Sequence, residues 1–257
     1  MTSTLIIRLG TIDWIDLTAP EIDPTQDFYR SVLGWSHEAS TTPMGTYYIA
    51  NAGGHEAAGL MASAPGQRMP PAWTVFVRVS SADDTLAAAE TAGGTAVAPA
   101  FDIPGGARIG VLSGPDGAML AVISGGPEPA ADEPPLRRNA PGAVGWCELL
   151  TRDPHAALSF YDALFGWMVV RDDATGYSVF RLGDRDVAGL LPMPQEMPAE
   201  APTHWLVHFH VADLDTAVST AERTVGMVAR PPAEIGGVRF AVLSDPNGAV
   251  FGLLQLP

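Results

Sequence analysis

"WIDLTAPEIDPTQDFYRSVLGW" (residues 14–35) and "WCELLTRDPHAALSFYDALFGW" (residues 146–167) are one pattern written twice. Trp, Leu, Phe-Tyr and Gly-Trp recur at an offset of 132, pairing Trp14 with Trp146, Phe28 with Phe160 and Trp35 with Trp167. The same offset joins "PAWTVFVRV" (71–79) to "THWLVHFHV" (203–211), and an offset of 131 joins "VLSGPDGA" (111–118) to "VLSDPNGA" (242–249). A spacing held over a whole half-chain implies duplicated domains. Between the halves lies "GGPEPAADEPPLRRNAPG" (125–142), Pro-rich and without periodicity, which reads as an extended linker. The expected division is a first domain over 1–125, a linker over 126–141 and a second domain over 142–257.

Each half divides again. A strand (Ile12–Leu17) precedes a helix (Pro24–Leu33) that stops at Gly34, as a C-terminal cap does. Short strands follow around Tyr47–Asn51 and Ala57–Met61. A second strand (Trp73–Val79) precedes a helix (Ala82–Ala92) ended by Gly93-Gly94, then strands around Arg108–Leu112 and Ala118–Ile123. The unit is strand, helix, then two or three strands, four times in all. That order predicts an α+β fold of four βαβββ modules, whose mixed sheets have helices on one face and curl into two cups.

Side chains alternate along a strand, so parity assigns faces. Trp205, Val207, Phe209 and Val211 are wholly apolar and belong under the helices. His204, Leu206, His208 and His210 then face the cup. In the first half Trp73, Val75, Val77 and Val79 go under the helices, and Thr74, Phe76 and Arg78 face the cup. The opening strands send Ile15, Leu17, Cys147 and Leu149 inward, and Trp14, Asp16, Trp146 and Glu148 to the cups.

Composition narrows the function. The chain has 257 residues, 47% of them hydrophobic and 17% charged, as in soluble globular proteins. No apolar run approaches the roughly 18 residues of a membrane span, and the start of the chain is too quickly polar for a signal peptide. A cytoplasmic location is the default. One cysteine, Cys147, excludes an internal disulfide framework. A net charge of −15 speaks against binding a phosphate backbone. All 14 basic residues are arginine, which excludes Schiff-base catalysis by lysine. There is no Walker-type phosphate loop and no nucleophile elbow.

The opening strands, "DFYRSVLGW", "SFYDALFGW" and the "SDPNGAVFGL" hairpin resemble the vicinal oxygen chelate superfamily of glyoxalases, extradiol dioxygenases and bleomycin-resistance proteins. "WIDL", "CELL", "HW" and "RFAVLSDPNGA" resemble most its two-domain actinobacterial branch, of the mycobacterial culture-filtrate antigen type. The resemblance implies tandem glyoxalase-like domains. It also implies metal-ligand positions, which here hold Trp14 and Trp146, Thr74 and Leu206, Ala121 and Gly252, and residues near Gly59 and Gly189. A divalent site needs three or four convergent N, O or S ligands, so the family's metal site is not expected in either half, and no cofactor is expected.

Three readings of His204, His208 and His210 stay open. His208 and His210 form an unusual metal site with Glu148, the three are merely solvated or structural, or His208 and His210 transfer protons with Glu148 as partner. Trp14 and Trp146 are core residues or stacking platforms for planar ligands. Asp16 and Arg78 form a structural ion pair or a ligand-binding pair. Tyr47, Tyr48 and Tyr177 lie on cup-forming strands of undetermined register. His37, His55 and His155 read as surface residues.

The favoured function is metal-independent binding of a hydrophobic or aromatic small molecule, with an acid–base step in the second domain. His208, His210 and Glu148 are its expected catalytic set. Trp146, Leu206, His204, Trp14, Asp16, Phe76, Arg78 and Tyr177 are its expected ligand contacts. Sequestration without chemistry and a metal-dependent glyoxalase, lyase or dioxygenase are the rivals. No nucleic-acid or membrane partner is expected, and the chain is expected to be a monomer or homodimer.

Overall fold

The structure, a computed structural model, describes residues 9–64, 66, 70–126, 140–172, 177–195 and 197–257. Most of the linker stretch (127–139) lies outside the described residues. Four modules follow one another, each with a strand, a helix and three further strands. The first comprises β1 (Ile12–Ala19), α1 (Ile22–Leu33), β2 (Ser36–Thr42), β3 (Gly45–Ala52) and β4 (His55–Ala62). The second comprises β5 (Ala72–Arg78), α2 (Ala82–Thr91), β6 (Thr95–Ile103), β7 (Ala107–Ser113) and β8 (Met119–Gly125). The third comprises β9 (Val144–Thr151), α3 (Pro154–Phe165), β10 (Met168–Arg171), β11 (Ser178–Leu182) and β12 (Arg185–Pro192). The fourth comprises β13 (His204–His210), α4 (Leu214–Arg223), β14 (Met227–Ile235), β15 (Val238–Ser244) and β16 (Val250–Gln255).

The strands form two eight-stranded mixed sheets, in the orders β2-β3-β4-β1-β5-β8-β7-β6 and β10-β11-β12-β9-β13-β16-β15-β14. Each sheet draws its strands from one half of the chain. The opening strand of each module pairs in parallel with its last strand: β1 with β4, β5 with β8, β9 with β12 and β13 with β16. Parallel pairing needs a crossover, and the helix supplies it. The remaining pairs within a module are antiparallel hairpins.

Local signals place the helix ends. Gly34 and Gly166 take left-handed φ values of 71° and 69°, and their N–H groups close the last turns of α1 and α3. Asp153 and Asp213 cap α3 and α4 by accepting from Ala156 N–H and Thr216 N–H. Pro154 occupies the first turn of α3, where no intrahelical donor is needed. The edge strands β2 and β6 were not expected. "SHEASTT" is polar but for Ala39 and β6 contains Pro99, so neither carries a strand's alternation. Each forms by pairing with its hairpin neighbour, and proline on an edge strand removes no ladder bond.

The modules pack into two compact units, whose boundaries fall after Asp13, Thr74, Cys147 and Trp205. One unit is built from the first and fourth modules. Its centre is Tyr29, with Trp35 stacked at 5.2 Å and Trp73, Phe209 and Phe251 edge-on at 5.5, 6.2 and 5.3 Å. Trp73 Nε1–H donates to Tyr29 Oη at 3.1 Å. Asn247 of the fourth module donates to Thr25 Oγ1 and to the Glu21 carbonyl. The other unit is built from the second and third modules around Tyr161, Trp167, Phe180 and Trp205. There Thr151 Oγ1–H donates to Asp116 Oδ2 at 2.7 Å, and Trp167 Nε1–H donates to the Gly10 carbonyl at 2.6 Å. The parity reading holds in both. Ile15, Leu17, Val75, Val77, Cys147, Leu149, Val207 and Phe209 are all at most 2% exposed. Among the described residues no helix is long and apolar enough to cross a membrane.

Candidate functional site

The opening strand β1 carries Trp14 and Asp16 on the face opposite Ile15 and Leu17. β3 brings Tyr47 to the same place. Trp14 Nε1–H donates to Asp16 Oδ1 at 2.8 Å and lies 2.9 Å from Tyr47 Oη, while Tyr47 Oη–H donates to the same Asp16 oxygen at 2.6 Å. All three side chains remain partly exposed. Gly59 of β4 sits opposite Asp16 in the ladder, and a Cβ there would stand 1.9 Å from Tyr47 Oη and 2.0 Å from Asp16 Oδ1. The glycine is therefore required by the triad, whose polar atoms occupy the space above it. Burial pushes the Asp16 carboxyl up to about 6, against the lowering effect of the Tyr47 and Trp14 hydrogen bonds. Burial and then the Asp16 charge push the Tyr47 phenol well above its usual range, so it stays protonated and donates.

The second half repeats part of this device. Tyr177 Oη–H donates to Glu148 Oε2 at 2.8 Å, and Glu148 stands opposite Gly189 on β12. Trp146, like Trp14, is partly exposed. Tyr47 was not singled out from sequence as a site residue. The signal was available: Tyr47 and Tyr177 are 130 positions apart, close to the offset that relates Asp16 to Glu148.

On β13, His208 is 3% exposed and stands opposite Gly252 of β16. A Cβ at Gly252 would fall 1.9 Å from His208 Nδ1, so the imidazole lies across the neighbouring strand. His210, two positions on, is partly exposed. Its Nδ1 is shielded and makes no hydrogen bond among the described residues, and burial lowers its pKa. His204 lies at the strand entrance with Nδ1 2.8 Å from the Pro202 carbonyl, and Leu206 is buried. Of the expected proton-handling set, His208 and His210 belong to one compact unit and Glu148 to the other.

Arg78 corrects an expectation. It does not pair with Asp16. Its Nε and Nη2 donate to Asp13 Oδ2 at 2.9 and 2.5 Å, and its Nη1 donates to the Gly125 carbonyl. The backbone bonds between Gly10 or Thr11 and Arg78 place the start of β1 beside the end of β5. Asp16 is three residues further along β1 and therefore on the other face of the strand. Phe76 is buried opposite Ala121. His37 is a second correction. It is half-buried, and neither ring nitrogen has a hydrogen-bond partner among the described residues. Burial, then the nearby Arg30 charge, lowers its pKa.

The residues at the family's metal-ligand positions do not suit a divalent cation. The indole nitrogen of Trp14 is a donor whose hydrogen is engaged by Asp16 and Tyr47, so it offers no lone pair. Thr74, Ala121, Leu206 and Gly252 supply no carboxylate, imidazole or thiolate. Space for a ligand side chain at Gly59 is already taken by the triad. Among the described residues no three His, Cys, Asp or Glu side chains group as a metal site.

A cavity of about 230 Å³ opens elsewhere, between the end of α1 and the start of α4, bordered by Leu33, Gly142, Val211, Asp213 and Thr216. It is smaller than the usual small-molecule pocket.

Comparison with known proteins agrees with the fold. The family model described as "Glyoxalase/Bleomycin resistance protein/Dioxygenase superfamily" matches residues 11–122, and that described as "Glyoxalase-like domain" matches 146–254. CFP32 of Mycobacterium tuberculosis, which carries a glyoxylase name, is 35% identical over 256 residues, covering 96% of this chain and 95% of its own. The anthracycline biosynthesis protein DnrV of Streptomyces peucetius is 32% identical over 265 residues, covering 96% and 94%. Among solved structures, the Mn(II)-bound glyoxalase of Novosphingobium aromaticivorans superimposes with a TM-score of 0.62 at 17% identity, covering 96% of this chain and 82% of that one. The 2,3-dioxygenase LapB of Pseudomonas sp. KL28 gives 0.63 at 14%, covering 96% and 93%. At those identities the likeness is one of fold.

Proposed function

The chain belongs to the glyoxalase/bleomycin resistance protein/dioxygenase superfamily, and from that premise we propose that it binds a hydrophobic or aromatic small molecule and, without a metal ion, performs an acid–base step on it. The step is an isomerisation, elimination, cyclisation or hydration in the second half, with His208 and His210, which share one compact unit, as the groups that handle protons; Glu148, which the sequence set beside them, belongs to the other unit. The observation that carries this reading is the exchange of side chains between β13 and β16. At the position where the family resemblance would put a carboxylate ligand stands Gly252, and the space above it holds the His208 imidazole. An imidazole can both take up and give back a proton. Within its own compact unit, Glu148 is held by Tyr177 as a carboxylate fixed in orientation. A flat aromatic guest fits the partly exposed Trp146 and the relatives named for anthracycline biosynthesis, anthracyclines being fused-ring molecules.

His208→Ala tests the reading. Tryptophan quenching by a panel of planar compounds measures binding, and product formation from a bound compound measures turnover. An enzyme loses turnover by about 100-fold or more and keeps its affinity, as expected when an acid–base group is removed. A change in affinity alone, with no turnover in the wild type, would leave sequestration as the function. Stoichiometric nickel, zinc or iron in the purified protein, lost together with activity on chelation, would overturn the metal-independent step.

A further inference from the structure

We propose that the fourth module recognises a carboxylate. Arg230, laid on the Phe240 ring, binds the carboxylate of a hydrophobic organic acid on the sheet face that carries His208. The inference deepens the second-half reading by naming a substrate class, and it rests on that reading for the place of the site.

Four neighbouring strands of one compact unit bring the groups together. His208 of β13 stands opposite Gly252 of β16, Gly252 opposite Val242 of β15, and Val242 opposite Arg230 of β14. Residues level with one another in adjacent strands share a face. Ala241 and Leu243 are fully buried on the other face, so the row lies on the face of His208. The next row is His210, Leu254, Phe240 and Ala233. The Arg230 guanidinium carbon lies 5.0 Å from the centre of the Phe240 ring. The His208 imidazole leans over Gly252 from the opposite side. Half-buried Val242 and Leu254 form an apolar floor between the two, roughly two strand spacings or about 10 Å wide.

The backbone of β14 is irregular on both sides of Arg230. Ala229 is an extra residue against β15, and Pro231 and Pro232 together face only Ala241. Bulges of this kind re-aim a side chain, and proline is tolerated in them. The second module keeps both irregularities in β6, yet its corresponding row is Phe76, Ala121, Val111 and Ala98, and Ile109 stands for Phe240. The scaffold is common to both halves, and the charge is particular to the fourth module. Arg152, Arg171, Arg185 and Arg223 share with Arg230 the lack of an ion pair among the described residues, but none of them lies on a ring there. A cation–π contact holds a guanidinium in place without using its N–H donors, and their fork matches the two oxygens of a carboxylate. One cation in the row suits one negative charge. The net charge of −15 repels anions at long range, so a preference for an anion must come from a local cation of this kind.

Calorimetric titration of the intact protein near neutral pH, with 2-naphthoate and with its neutral analogue 2-naphthamide, tests this. The wild type is expected to bind the acid at least about tenfold more tightly than the amide. Arg230→Gln, a change at an exposed position on an edge strand, should bring the two affinities within about twofold of each other and leave the melting temperature unchanged. Arg230→Lys should keep only part of the preference, because a point charge lacks the fork. His208→Ala should keep all of it. Equal affinities in the wild type, tighter binding of the amide, or no binding of the acid overturns the inference. So does a preference that survives in Arg230→Gln or disappears in His208→Ala. Turnover of a neutral aromatic compound that His208→Ala abolishes, in a protein that does not prefer the acid, would sink this inference alone. An acid held through Arg230 in a protein that turns over no compound would support it and sink the acid–base step instead.

Discussion

Asp16 shows how one residue's environment turns a strand position into a chemical group. Its carboxyl, raised to about 6 by burial, binds its proton more tightly in the folded chain than in the unfolded one. The fold therefore bears a penalty for the carboxylate that is absent only well below pH 3.8, grows as pH rises towards 6 and is complete above it. Against the usual aspartate value of 3.8, the penalty is at most about 3 kcal/mol, at roughly 1.4 kcal/mol per pKa unit. Asp16→Asn should accordingly melt several degrees higher than the wild type at pH 8 and at nearly the same temperature at pH 3; equal differences at both pH values would show that the carboxyl is not desolvated. The parity of β1 was enough to put Trp14 and Asp16 on one face. It could not identify Tyr47 as their partner, because the β3 register depends on the hairpin and not on the strand's own pattern. It also suggested the wrong partner for Arg78: Asp13 shares the parity of Ile15 and Leu17, opposite to Asp16, and the backbone bonds of Gly10 and Thr11 to Arg78 set it there.

At the scale of elements, the modules are near-copies with informative differences. The turn after α2 uses Gly93 at φ 89°, and the turn after α4 uses Val225 at φ 66°, 77% exposed. A β-branched residue in the left-handed region costs about 1–2 kcal/mol. Val225→Gly should stabilise the protein by about 1 kcal/mol net of the added freedom of the unfolded chain, or about 2–4 °C in melting temperature. A loss of stability would mean that the Val225 side chain makes a contact worth more than the strain. Helix limits and caps were readable from sequence at Gly34, Asp153 and Pro154, because a cap is satisfied by atoms within a few residues. The edge strands β2 and β6 were not, because their bonds are supplied by β3 and β7 and one of their faces has nothing to bury.

At the scale of the molecule, sheet and packing follow different partitions of the chain. Each sheet is drawn from one half, yet each compact unit joins modules from both halves, the first with the fourth and the second with the third. Tyr29 and Phe28 of the first module are packed by Phe209 and Phe251 of the fourth. A fragment ending at residue 125 lacks those partners and should expose Phe28 and Tyr29. Residues 1–125 and 142–257 prepared separately should therefore aggregate or self-associate, and should form a one-to-one complex when mixed, as measured by size exclusion with light scattering. A monomeric, cooperatively melting half would contradict this. The sequence alone determined the four repeats, the faces of their strands, the helix caps and the family, because each rests on periodicity or on contacts between near neighbours. Only the tertiary structure decided which module packs on which, that Arg78 holds Asp13, and that Asp16 is clamped over Gly59. Modules so alike offer several partners with the same local pattern, and the choice among them is made by long-range packing that no stretch of sequence contains.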